Sequence, residues 1–112
     1  MRVKDTLYKD VLFISLIGEL DQHNADLIRQ ELESIIAETA AKKVIFDLKE
    51  LEFMDSSGIG VLLGRYKKLL AKRIPVFITN ANKHVDRVLM MSGIYKLMPK
   101  IDASNLRKEG TK

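Results

Sequence analysis

Two adjacent hydroxyls, Ser56 and Ser57, are the best candidates for chemistry in this chain, set in the stretch Phe53-Met54-Asp55-Ser56-Ser57-Gly58-Ile59-Gly60. Asp and Ser ahead of an apolar-periodic run are N-cap residue types, so Asp55 and Ser56 belong at the mouth of a helix. A hydroxyl held there is exposed, and the unpaired N–H groups of a first helical turn suit an anion. The same helix carries Gly58, Gly60 and Gly64 in its first turns, where an interior glycine costs about 0.8 to 1 kcal/mol relative to alanine. Helix stability alone does not select three such residues. Gly60 and Gly64, four apart, share a face that lets another backbone approach closely, either the protein's own sheet or a partner.

Other chemistries find less support. A serine nucleophile needs a base, but neither His23 nor His84 has an orienting acid at a recognisable spacing, and the Gly-x-Ser-x-Gly elbow is missing. The chain is therefore not expected to be an enzyme. No Gly-x-x-x-x-Gly-Lys-Ser/Thr loop is present to cradle a nucleotide. Cysteine is absent, and Asp47, Glu50 and Glu52 do not have metal-ligand spacing, so neither a metal nor another cofactor is expected. Met90, Met91 and Met98 read as soft core filler near a helix end.

The elements that must position the hydroxyls follow from periodicity and punctuation. Strands over 3–8 and 11–17, joined at Lys9-Asp10, form a hairpin whose more polar first strand is the edge. Gly18-Glu19-Leu20-Asp21 ends the second strand, and Asp21 caps a helix over about 22–39 with Leu27, Ile28, Leu32, Ile35 and Ile36 as its stripe. A strand over 44–48 and a loop over 49–54 lead to the central helix, which ends near Arg73 because Pro75 bars its continuation. Ile59, Leu62, Leu63, Tyr66, Leu69 and Leu70 form its buried stripe. After a strand over 76–79, Asn80 or Asn82 caps a shorter helix carrying Val85, Val88 and Leu89 and ending at Gly93. Leu97 and Met98 add an edge strand, 101–107 a weak last helix, and 108–112 a frayed tail.

This order predicts an α/β domain with a mixed, mostly parallel sheet of four to five strands, an antiparallel N-terminal edge hairpin and about four helices. Loops leaving the carboxyl ends of parallel strands gather on one edge, which would bring Asp21 near Ser56.

The 112 residues suit one domain spanning 1–112, and 46% apolar with 30% charged residues is the composition of an ordinary globular protein. A formal charge of +4 raises the possibility of nucleic acid, but lysines and arginines are scattered. Their clusters, Arg65, Lys67, Lys68 and Lys72, Arg73, lack stacking aromatics and read as a solvated helix face or a surface for an acidic protein. No nucleic-acid partner is expected. The richest apolar stretch, residues 11–20, is too short to cross a bilayer, and the N-terminus lacks a secretory segment. No membrane association and a cytoplasmic location are expected.

Four segments together, Gly18-Glu19-Leu20-Asp21, Phe53 to Gly60, Leu63-Gly64-Arg65-Tyr66-Lys67 and Met91-Ser92-Gly93, resemble the anti-sigma-factor antagonists of the STAS domain family, in particular its sporulation anti-anti-sigma factors. The resemblance implies a single STAS-like domain acting as a regulator. Unphosphorylated, such a protein binds an anti-sigma factor that is also a serine kinase and so frees the sigma factor. Phosphorylation of the first serine after the aspartate, Ser56 here, silences it, and a metal-dependent serine phosphatase reverses the step. Asp21, Asp55, Ser56, Ser57, Gly58, Gly60 and Gly64 map to the partner-facing surface, on a monomer or weak dimer. The same family also implies two other roles: a scaffold subunit of a stress-signalling complex, or the cytosolic domain of an anion transporter.

Overall fold

The expected hairpin forms at the start of the chain. In the computed structural model, which describes residues 1–102, β1 (Arg2–Tyr8) turns through Lys9 and Asp10 into β2 (Val11–Leu20), with Tyr8 opposite Val11 and Arg2 opposite Ile17. Lys9 takes a φ of 54°, the positive value that two-residue hairpin turns require. Leu12, Phe13, Ile14 and Leu16 of β2 are all buried, as befits a strand covered on both faces. β2 runs parallel to β3 (Lys43–Asp47), and β3 runs parallel to β5 (Val76–Thr79), giving the order β1-β2-β3-β5.

β2 does not stop at Gly18. The chain takes a φ of 109° there, the register shifts, and the strand continues beside β4 (Leu51–Met54), with Leu20 opposite Met54. A Cβ at Gly18 would also lie 3.2 Å from the Met1 Cα, so conformation and close approach both call for glycine. The loop expected over 49–54 is thus corrected to a short strand. Leu51 and Met54 are buried while Glu52 and Phe53 face out, a pattern without the period of two that reveals a strand.

Among the described residues three α-helices follow the parallel strands: α1 (Ala25–Glu38), α2 (Ser56–Ala71) and α3 (Lys83–Ser92), with a 3-10 turn at Ile94–Lys96. Their main cluster, including Leu20, Leu32, Phe46, Leu62 and Leu69, fills the space against one sheet face. Phe13 and Ile45, which alternate with those positions, centre a small cluster on the other. Some expected stripe members differ. Ile28, Leu32 and Ile36 of α1 are buried but Leu27 is exposed, and in α2 the buried set is Gly58, Val61, Leu62, Arg65 and Leu69, with Leu70 outward. Met98 is buried, whereas Met90 and Met91 are exposed and do not fill the core. Leu97 and Met98 form no strand. The outer edge of β5 is met instead by the next residues, where the Ile78 amide donates to the Pro99 carbonyl at 3.0 Å and the Ile101 amide to the Ile78 carbonyl at 2.9 Å. The helix expected over 101–107 lies outside the described residues from 103 onward, as does the tail over 108–112.

The basic cluster of α2 is not simply a solvated face. Arg65 is only 4% exposed, and its Nη2 lies 3.1 Å from Glu33 Oε1 of α1. Its Nη1 donates to the Arg29 carbonyl at 3.4 Å, and Nε is buried without a hydrogen-bond partner among the described residues. Lys68 Nζ stands 3.8 Å from the same Glu33 oxygen. α1 has no base in its own last turn, and Lys72 Nζ supplies one, donating to the Ile36 carbonyl at 2.7 Å and to those of Ala37 and Thr39 at 3.4 Å. These contacts join corresponding ends of α1 and α2, so the helices run side by side in the same direction and their N-termini emerge together.

Candidate functional site

The site begins where β2 and β4 end. Leu20 pairs with Met54, and the Asp55 amide donates to the Leu20 carbonyl at 3.3 Å, so Asp21 and Asp55 leave neighbouring strands at the same sheet edge. Asp55, extended at φ −110°, is the N-cap of α2: its Oδ1 accepts from the Ser57 amide at 2.9 Å and its carbonyl from the Gly58 amide at 3.0 Å. Ser56 is then the first helical residue and is exposed, while Ser57 is half-buried. No hydrogen bond to another described residue engages the Ser56 hydroxyl.

The three glycines of α2 divide into two kinds. Gly58 is buried, and a Cβ there would lie 2.7 Å from Met54 Sδ and 3.1 Å from Leu20 Cδ2, so the protein's own strand ends require it. A Cβ on Gly60 or Gly64 would meet nothing within 4 Å. The protein's own sheet is therefore not what approaches those two glycines. Asp21 also departs from the expected role, because α1 begins at Ala25 after a turn. Asp21 Oδ1 accepts from the His23 and Asn24 amides at 2.9 and 3.3 Å, while Asn24 Oδ1 accepts from the Asp21 amide at 3.0 Å. Asn24, at the N-cap position, donates its side-chain amide to the Glu19 carbonyl at 2.7 Å. The result is a braced acidic turn beside the mouth of α2.

Residues 3–106 match the STAS domain family. The chain belongs to that family. It is 41% identical to an anti-sigma F factor antagonist of Paenibacillus polymyxa over 95 residues, covering 85% of this chain and 81% of the relative. Among solved structures it is similar to the anti-sigma factor antagonist SpoIIAA in its unphosphorylated form, with 28% identity, a TM-score of 0.78, and coverage of 96% of this chain and 95% of that one. Against the Bacillus cell fate determinant SpoIIAA in the phosphorylated form, identity is again 28%, the TM-score 0.70, and coverage 96% and 98%.

The third loop of the STAS sheet edge is drawn in as well. Asn82, not Asn80, caps α3, its Oδ1 accepting from the Val85 amide at 2.8 Å. Its Nδ2 donates to the Leu51 and Glu52 carbonyls at 3.1 and 3.3 Å and ties α3 to β4. Asn80 instead takes a φ of 64° and donates to Asp47 Oδ1 at 3.1 Å. This tie stacks His84 on Phe53, ring centroids 5.1 Å apart and planes at 13°, one residue before Met54 leads into the motif. The sequence offers one signal for this pair, an aromatic facing out of a short strand, but its histidine partner lies 31 residues further on. Neither His23 nor His84 is hydrogen-bonded to Ser56 or Ser57 among the described residues. No group of three or more His, Asp or Glu among them could hold a metal ion.

Proposed function

We propose that this STAS protein is an anti-sigma factor antagonist switched by phosphorylation of Ser56. Unphosphorylated, it binds an anti-sigma factor with serine kinase activity and so frees the sigma factor; phosphorylated, it lets go, and a metal-dependent serine phosphatase restores it. The observation that carries this reading is the exposed Ser56 hydroxyl, free of hydrogen bonds among the described residues, at the first position of α2, beside the Asp21 turn and a glycine face open to solvent. Relatives named as anti-sigma factor antagonists support it, as does a structural neighbour known in both phosphorylation states. A cytoplasmic location fits the role, and among the described residues no helix is long and apolar enough to cross a membrane.

The physics says where such a switch acts. A phosphate adds about −1.5 to −2 charges near neutral pH. At a helix N-terminus that charge is favoured by roughly 0.3 to 1 kcal/mol. Phosphorylation therefore leaves the fold intact and works at the interface, by crowding and by repulsion from acids on the partner, where like charges cost several kcal/mol. Asp21 and Asp55 keep the patch acidic in both states.

The test is incubation with the anti-sigma kinase and ATP, followed by intact mass and peptide mapping. One phosphate should appear on Ser56, and Ser56→Ala should take up none while still binding the anti-sigma factor. Ser56→Asp should melt like the parent and fail to bind. Phosphate incorporated into Ser56→Ala would move the site to Ser57, and an aspartate variant that binds normally would remove the switch.

A further inference from the structure

At the far end of α2 from Ser56, a groove of about 450 Å³ opens between Tyr66 and Leu70, the bend at Ile74, Phe77 of β5, and Leu97 with Pro99. Leu70 and Leu97 on its walls are 57% and 45% exposed. Among the lining residues the one charge is Arg73. This arginine closes α2: its amide donates to the Leu70 carbonyl and that of Ile74 to the Leu69 carbonyl, each at 2.9 Å. Such a helix ending places its closing residue in the left-handed region, and Arg73 sits there with φ 62°. Glycine occupies that conformation without strain, whereas a residue with a Cβ does not. Strain held by a residue that the fold itself would replace points towards function.

Among the described residues the guanidinium is also unengaged. Of the basic cluster, Arg65 and Lys68 meet Glu33 and Lys72 caps α1, but among the described residues no ion pair or hydrogen bond holds the Arg73 or Lys67 side chain. We propose that this groove docks an apolar, acid-bearing segment of the anti-sigma factor. A partner carboxylate pairs with Arg73, and the apolar side chain next to it lies between Leu70 and Leu97. The inference rests on the reading that an anti-sigma factor is the partner. Each copy of this chain carries a formal charge of +4, so two copies repel on net charge and an acidic partner is favoured over a second copy.

One partner can cover both ends of α2. The helix has 16 residues and is about 24 Å long, and a standard interface of roughly 800 Å² a side is about 30 Å across. Its outward side between the two ends carries Gly60, Gly64 and Lys67. The partner thus holds α2 at a hydroxyl that phosphate can veto and at a groove that phosphate does not reach.

The test compares the affinity of the anti-sigma factor for the parent, Arg73→Gly, Leu97→Ser and Ser56→Asp, with a melting curve for each. Arg73→Gly should melt above the parent yet bind about 10-fold more weakly, with the parent's excess affinity shrinking as salt is raised. Leu97→Ser should lose a similar factor. If both groove variants bind as tightly as the parent while Ser56→Asp loses binding, the groove is overturned and the proposed function stands. A parent chain that fails to bind any anti-sigma factor removes both.

Discussion

Glycine does two different jobs within one turn of α2. At Gly58 a methyl group would press on Met54 and Leu20, and the overpacking, typically about 1–3 kcal/mol, exceeds the roughly 1 kcal/mol that alanine adds to a helix. Gly58→Ala should therefore lower the melting temperature. Gly60 has open space around it, so Gly60→Ala collects the helix gain of about 0.8 to 1 kcal/mol, roughly 4 °C in a chain of this size. If a partner's backbone lies against that face, the same substitution weakens anti-sigma factor binding while it stabilises the fold. Melting curves and a binding titration on the two variants separate the roles, and a Gly60→Ala variant that is more stable and binds unchanged would remove Gly60 from the interface.

At the scale of elements, the pairing of α1 with α2 decides whether Asp21 and Ser56 are presented together. Two devices hold that pair. Lys72 satisfies carbonyls at the end of α1, so Lys72→Met should cost about 1 kcal/mol in urea unfolding. Arg65 is the heavier commitment. Burial pulls its pKa below the ordinary guanidinium value, Glu33 pushes it back up, and Arg29 lowers it further. Removing Glu33 leaves a buried cation with, among the described residues, the Arg29 carbonyl as its one hydrogen-bond acceptor. Because Glu33 is itself a third exposed, Glu33→Ala should cost about 2 kcal/mol rather than the larger figure for a sealed pair. Replacing both residues, as Glu33→Leu with Arg65→Met, should recover most of that loss, since an apolar pair needs no desolvation of charge. A double variant no more stable than Glu33→Ala would show that Arg65 contributes through something other than this pair.

Across the whole molecule, the return of the chain from α3 to the edge of β5 hinges on Asp86. Its Oδ1 accepts from the Tyr95 hydroxyl at 2.6 Å and from Lys100 Nζ at 3.0 Å. The Tyr95 hydroxyl above all, then Lys100, hold its carboxyl below the usual aspartate range of 3.8. A depressed carboxylate contributes stability that is fully present above the unfolded value and is lost as pH falls through the folded one. Burial and then Asp86 push the Tyr95 phenol above 10.0, so its share persists up to that pH and fades beyond it. The parent should thus exceed Asp86→Asn in stability at pH 6, with the gap closing below about pH 4. Urea midpoints between pH 2 and 7 measure this, and a gap independent of pH would mean that the carboxylate charge is not what holds the segment. The same segment supplies Leu97 and Pro99 to the groove, so loosening it should also blunt the docking proposed there.

What the sequence determined by itself was local. Asp55 as the cap of α2, Ser56 as its first residue, Gly93 as the left-handed end of α3, and the Lys9-Asp10 hairpin all follow from residues within four positions of each other. The alternation of strands with helices then restricted the topology to a largely parallel sheet. The tertiary structure decided everything that depends on a neighbour far along the chain. Gly58 answers to Leu20, Arg65 to Glu33 and Arg29, and Lys72 to the carbonyl of Ile36, none of them near in sequence. β4 was hidden because its exposure has no alternation, and the burial of an arginine in the core stripe has no signature in periodicity. A helix cap is paid for by its own turn, whereas a buried charge or a forced glycine is explained only by the surface that packs against it.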